Sequence, residues 1–427
     1  MRKTLGLIGA VVGLAAVIAV MCVWPTPGLT TEQITLPVTR MLACPVGDPQ
    51  VGKTVVRVAD TEPFTASVVG ELPSDPQTSA TFENPAKPVI VRGGATVGAV
   101  SVYSEGATQL VAPCTSPITW GMWNGVVTQS ETATVLLTNV DSAPAVVDVF
   151  LYGPNGAIPV PGISDINLAP GTTRMLAVDQ LVTVDTPISV QVRASKGRVA
   201  ALLRSLGSVG YDWQLPQTAP DTDLTINGIP AGDGARTLSV TNTDPTNKAE
   251  VSLQILGEAG AFAPLGLEKV EIPPARSLTI DVTSALGSQA SAIHLTSTTA
   301  ISAGVMVASG GEFSAIPAQR AVGGSVVFPA IGGSLWLANP DQAQASVTLR
   351  FDDGAGSRTS STVTVAPQGF TRVDFPATGV AVELTTASQA VRASVGLSDV
   401  GLSIVPLWGG GAQTTVDVPR LAPGLGN

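Results

Sequence analysis

The stretch Val135-Leu-Leu-Thr-Asn139-Val-Asp141 recurs as Leu238-Ser-Val-Thr-Asn242-Thr-Asp244 and again as Leu335-Trp-Leu-Ala-Asn339-Pro-Asp341. The three asparagines stand 103 and 97 residues apart, so the chain repeats a unit of about one hundred residues. After each copy comes a run with strict alternation: Val147, Val149 and Leu151, then Val251, Leu253 and Ile255, then Val347, Leu349 and Phe351. A period of two means a strand with one buried face. Glycine turns follow at Gly153–Gly156, Gly257–Gly260 and Gly354–Gly356, as a tight hairpin requires. Pro170, Pro273 and Pro367 then interrupt further ladder pairing, and each leads to another strand with an outward aspartate, at Asp179, Asp281 or Asp374. A closing hairpin is clearest over 190–202, where Gly197 divides two alternating runs.

Working outward, residues 41–128 read as a fourth, divergent unit, because Gly98-Ala-Val-Ser-Val-Tyr103 resembles the last strand of the others and Trp120 falls near where Trp213 and Trp408 stand. The expected fold is all-β: tandem immunoglobulin-like β-sandwiches over 41–128, 129–230, 231–325 and 326–427. A β-propeller is the alternative, although one hundred residues is long for a blade. Four sandwiches in a row would extend past about 100 Å.

At the N-terminus, Arg2 and Lys3 precede an uncharged apolar stretch from Leu5 to Trp24, followed by Pro25 and Pro27. Twenty helical residues span about 30 Å, the thickness of the hydrocarbon layer. Residues 1–24 therefore read as a single-pass transmembrane signal anchor with a cytoplasmic N-terminus, 25–40 as a linker and the remainder as extracytoplasmic. A cleaved secretion signal is the alternative reading, though its apolar core would be shorter and no small-x-small site is present. In an oxidising compartment the pair Cys44 and Cys114 reads as a disulfide.

A net charge of −10 argues against nucleic-acid binding, which needs concentrated Lys and Arg. The single histidine, His294, lies on the polar side of an alternating strand and is expected to face solvent. With one imidazole, two-histidine metal sites are excluded and acid–base machinery is disfavoured. Gly-x-Ser-x-Gly, His-Glu-x-x-His and phosphate-loop motifs are absent. No catalytic residue, metal or cofactor is expected. Asn139, Asp141, Asn242, Asp244, Asn339 and Asp341 suit Asx-turns better than calcium sites, which need six to eight oxygens. Trp120, Trp123, Trp213 and Trp408 are candidates for stacking on sugar rings, against the plainer role of core or junction packing that also suits Trp336.

The anchor, together with the pattern Leu-x-x-x-Asn-x-Asp…Tyr-Gly-Pro-x-Gly…Ala-Pro-Gly…Arg-Ala-Ser-x-Gly-Arg-Val-Ala-Ala over 135–201, resembles an uncharacterised family of membrane-anchored actinobacterial envelope proteins. The resemblance implies a place in a bacterial cell envelope and transfers no catalytic residue. The expectation is a non-enzymatic scaffold or interaction protein, held to the membrane through residues 5–24 and meeting another envelope protein or a wall polysaccharide. The alternative is a carbohydrate-binding or adhesion protein using exposed tryptophans.

Overall fold

The computed structural model describes residues 30–36, 39–45, 53–105, 108–207, 210–355, 357–374, 381–397, 402–409 and 414–420; the stretch read as a membrane anchor lies outside them. Among the described residues no helix is long and apolar enough to cross a membrane. Two bodies are present. One contains an antiparallel ribbon of Thr30–Leu36 with Thr414–Arg420. The other, 39–412, holds all the repeated units.

The chain is all-β, and its only helices among the described residues are single turns at Val178–Leu181 and Thr283–Leu286. Repeat 1 shows the plan. Its outer sheet orders Gly156–Ile158, Ala145–Gly153, Ile188–Lys196 and Trp120–Val126, with Ile166–Leu168 also on Ala145–Gly153. Its inner sheet orders Thr173–Ala177, Thr132–Thr138, Ala200–Gly207 and Gly210–Gln214. The alternating apolar positions of both sheets, Val135 and Leu137 from one and Val147, Val149, Val190 and Val192 from the other, meet in one core. Alternation produces this result because successive side chains leave opposite faces of a strand.

Three expectations are corrected. The segment 190–202 is not a hairpin: Ile188–Lys196 belongs to the outer sheet and Ala200–Gly207 to the inner one, so the chain crosses between sheets at Gly197. In repeat 2 the crossing is one unbroken strand, Ser291–Ser309, which pairs in the outer sheet at its start and the inner sheet at its end. The closing hairpin is the next one, Ala200–Gly207 with Gly210–Gln214. The seams also fall earlier than 129 and 231, because Trp120–Val126 pairs with Ile188–Lys196 and Asp221–Ile229 with Ser291–Ser309, each within the unit that follows. Likewise Gly324–Pro329 pairs with Ala381–Thr386 of repeat 3. Trp120 thus opens repeat 1 and is not the counterpart of Trp213, which sits in a closing strand.

The N-terminal unit has the same wiring in shortened form. Strand Lys53–Val68 pairs with Gln77–Glu83 and Gly98–Glu105 through its first half and with Val89–Gly93 through its second. Gly98–Glu105 occupies the place of Ala200–Gly207, as its sequence suggests. Cys44 and Cys114 form a disulfide. It closes a separation of 70 residues, about 4 kcal/mol in the chain-entropy view.

The third correction concerns the arrangement of the units, which do not stand in a row. The last strands of the four units, Thr108–Pro113, Gly210–Gln214, Glu312–Pro317 and Ser403–Leu407, each pack against the next, and the fourth packs against the first. The first and last units are joined directly: the Val111 amide donates to Ser403 Oγ (3.0 Å) and the Val327 amide to the Thr96 carbonyl (2.9 Å). Val100, Val102 and Val111 share a core with Val326 and Phe328. Closure is the feature a propeller would have, yet each unit is a pair of facing sheets and not a single four-stranded blade.

Candidate functional site

The Asn-x-Asp elements are structural. Each asparagine follows the last residue of its strand that pairs with the crossing strand, and each is fully buried. Asn139 Nδ2 donates to the Ala143 carbonyl (2.8 Å) and the Leu168 carbonyl (3.0 Å), while Oδ1 accepts from the Asp141 amide (3.1 Å). Asn242 does the same with Asn247, Ile272 and Asp244, and Asn339 with Ala343, Ala366 and Asp341. One amide side chain thus satisfies an Asx-turn and a neighbouring segment at once, which a buried backbone requires. The aspartates face outward to local donors: Asp141 pairs with Arg198, and Asp244 accepts from the Thr246 and Asn247 amides, which hold its carboxyl far below the usual range. In the N-terminal unit the same ladder position is Asp60, buried and accepting from Thr96 Oγ1 (2.6 Å); burial pushes its carboxyl upward. An aspartate has no amide hydrogen to give a carbonyl, and that loss hides the fourth copy from a pattern search.

His294 is buried, not solvent-facing, because strands flank it on both sides and Asp223 Oδ1 lies 3.1 Å from Nε2. Of the tryptophans, Trp123, Trp213 and Trp336 are core residues and cannot receive a ligand. Trp123 Nε1 donates to the Gln214 carbonyl (2.9 Å), and Trp213 stacks on Tyr103 with ring centroids 5.7 Å apart. Trp120 and Trp408 remain half-buried.

Trp408 opens onto a place no single repeat predicts. The segments that follow the four packed last strands converge there: Thr115 and Ser116 after the first, Leu215 and Thr218 after the second, Arg320 after the third, and Trp408 after the fourth. They line a cavity of about 230 Å³, the volume of a small ligand. Its lining combines Trp408, Arg320, Ser116 and Thr218 with the apolar Pro117, Ile118 and Pro216. Among the described residues no three His, Cys, Asp or Glu side chains are placed to hold a metal.

Sequence reasoning also missed the side chains that clasp the units together. Asn124 Nδ2 donates to Ser302 Oγ (2.8 Å) of repeat 2, and Ser302 Oγ donates to Gln217 Oε1 (2.9 Å). One unit on, Asn227 Nδ2 donates to the Trp336 carbonyl (2.8 Å) of repeat 3, and Ser394 Oγ donates to Gln319 Oε1 (3.1 Å). Both asparagines precede glycines with positive φ, Gly125 (80°) and Gly228 (97°). A Cβ on Gly228 would stand 3.0 Å from the Trp336 ring. The Asn-Gly pair repeated at a spacing of 103 was the available signal.

These features define an all-β protein of four two-sheet units closed on one another, with a small polar and aromatic mouth where their last connections meet. The model of a family of unknown function (DUF5719) matches residues 94–376, about two thirds of the chain, and the protein belongs to that family. No curated protein matches. Two solved structures are aligned over most of the chain: a tetra-tandem repeat from the extending region of a large adhesion protein and the BSP domain of a biofilm-associated protein. The first is 13% identical and covers 87% of this chain and 95% of its own, with a TM-score of 0.12. The second is 8% identical and covers 90% and 99%, also with a TM-score of 0.12. Scores this low indicate no common shape.

Proposed function

We propose that this is a non-enzymatic binding protein of a bacterial cell envelope, tethered by residues 5–24, whose closed set of units presents the mouth around Trp408 to a sugar unit of a wall polymer. The units are read as immunoglobulin-like sandwiches whose final strands have changed sheets. The convergence of Trp408, Arg320 and the hydroxyl-bearing Ser116, Thr119 and Thr218 carries the reading. An indole face packs against the apolar face of a pyranose, and the surrounding donors suit its hydroxyls. Closure argues against the long-spacer form of the scaffold idea, since the four units do not extend end to end.

Calorimetric titration of the full chain in detergent with soluble wall-glycan fragments tests the proposal. Saturable binding that Trp408→Ala abolishes and Arg320→Gln weakens is the expected result. An absence of binding, or binding unchanged in both variants, overturns it.

A further inference from the structure

The three repeats treat one sheet edge differently. In repeat 1 the edge beside Ala145–Gly153 is split into Gly156–Ile158 and Ile166–Leu168, separated by a loop carrying Pro159, Pro161 and Gly162. In repeat 2 the same edge is split into Gly260–Phe262 and Val270–Ile272 by a loop with Pro264 and Gly266. Charge guards it as well, since Lys248 meets Glu271 (2.6 Å) and Lys269 meets Glu250 (2.7 Å). Proline, interruption and charge are how natural sheets keep an edge from pairing with another chain. Repeat 3 has neither the proline nor the interruption, and its edge strand carries a single charge at one end, Arg358. Arg358–Val365 runs unbroken for eight residues along Ala345–Asp352, fully in register from Ala345↔Val365 to Asp352↔Arg358. It ends its sheet, and six of its eight residues are exposed outright. Its sequence, Arg-Thr-Ser-Ser-Thr-Val-Thr-Val, is rich in β-formers, and its one charge is paired with Asp352 (3.0 Å).

We propose that Arg358–Val365 is an interaction edge that pairs antiparallel with the same strand of a second copy of this chain, joining two four-stranded sheets into one of eight. Self-pairing is what the strand's chemistry favours. Two-fold pairing about an axis normal to the sheet keeps like faces together, so opposed residues share parity. Centred on Ser361, it sets Ser360 against Thr362, Thr359 against Val363 and Arg358 against Thr364. No two like charges oppose, and hydroxyl and β-branched pairs are the ones that stabilise a ladder. This edge lies outside the Trp408 mouth, and the inference stands independently of the sugar reading.

The test is site-specific crosslinking of the full chain in detergent, with Cys22→Ala as background. Self-opposed residues in an antiparallel pair have Cα atoms about 4.5–5.5 Å apart, within disulfide reach. Ser361→Cys is expected to yield a covalent dimer under mild oxidation, and Ala157→Cys on the blunted edge of repeat 1 is not. Adding Ser360→Lys and Thr362→Lys to Ser361→Cys places four lysines across the junction and is expected to cut the dimer yield at least tenfold. All three positions are exposed or at the sheet rim, so folding, read by far-ultraviolet circular dichroism, is expected to be unchanged. No Ser361→Cys dimer, equal crosslinking at Ala157→Cys, or a dimer indifferent to the lysines overturns the proposal. A dimer lost only when excess Arg358–Val365 peptide is added supports it, and one lost with an unrelated strand peptide overturns it.

Discussion

The junctions between repeats 1 and 2 and between repeats 2 and 3 are held differently from the two junctions of the N-terminal unit. The former place buried amides and hydroxyls opposite one another: Asn124, Gln217 and Ser302 at one, Asn227, Gln319 and Ser394 at the other. At the first of these, Thr241, Ser189 and Ser277 extend the network inside. The latter are mainly apolar, with the Val111 and Val327 amides supplying the hydrogen bonds described between the first and last units. In the first three units the segment after the last strand returns to bridge the first strand, giving Ala43↔Thr115, Met122↔Gln217 and Thr225↔Gln319. Thr115 therefore stands where the glutamines stand, and Pro45 where the asparagines stand. Ala43, Ile90, Val140 and Ala200 fill that junction, beside an aromatic group of Tyr103, Tyr211 and Trp213. Matched buried polar groups fix which surface meets which, because a mismatch leaves orphans at about 1–3 kcal/mol each. Apolar contact is tolerant of register and draws its energy from area. The repeats that look alike are joined by specific hydrogen bonds, and the divergent unit that completes the circuit is joined by burial and stiffened by its own disulfide.

The comparison breaks most visibly at Trp213. Trp213→Ala is expected to cost about 3–5 kcal/mol in denaturant unfolding, as for other buried large-to-small changes, and to speed hydrogen exchange in Arg40–Cys44 and Val89–Gly93 before the repeats respond. A loss below about 1 kcal/mol means the aromatic group does not hold that junction. The polar junctions are probed by Asn227→Ala, which strips donors from the Trp336 carbonyl and Ser394; about 2–3 kcal/mol is expected. Thr115→Val at the corresponding apolar junction removes a buried hydroxyl that has no partner and is expected to change stability by less than about 0.5 kcal/mol. Equal costs for the two erase the distinction.

A pH dependence tests one further contact across the junction of repeats 1 and 2. Asp212, 3% exposed, accepts from the Ala315 amide of repeat 2 (2.8 Å). Burial first, then Glu312 nearby, push its carboxyl up to about 7, against the pull of the amide and Ser314 hydrogen bonds. The folded chain therefore holds this proton where the unfolded chain has lost it. Its contribution is present below the unfolded value near 4 and is lost as pH rises toward 7, with a slope of at most about 1.4 kcal/mol per unit. Subtracting the curve of Asp212→Asn isolates it, and parallel curves between pH 4 and 7 refute the assignment.

The repeats were legible because a buried asparagine leaves little choice: a side chain that must donate to two carbonyls and accept from one amide keeps its identity, and Asn139, Asn242 and Asn339 stand out. The alternating runs were legible for the same reason at the level of faces. The circuit was not. Val100, Val111 and Phe328 look like any core residues, and nothing local distinguishes burial against one's own sheet from burial against another unit. Asn124 and Gln217 meet Ser302 from far along the chain, and the repeated Asn-Gly pair gives no sign of which residue it will meet. The mouth at Trp408 has four sources, and only Trp408 was visible as a candidate. Trp123 and Trp213 misled because a tryptophan that anchors a core and one that greets a ligand are the same letter.

The ribbon of Thr30–Leu36 with Thr414–Arg420 has a mechanical consequence. Its register pairs Thr30 with Arg420 and Leu36 with Thr414, so the chain enters and leaves at the same end of the ribbon. A force separating Thr30 and Arg420 strains the rungs one after another, as a zipper parts, and needs little tension. A force drawing Thr30 and Thr414 in opposite directions along the strands loads every rung together. The same seven pairs are therefore a weak link in one direction of pull and a firm one in the other.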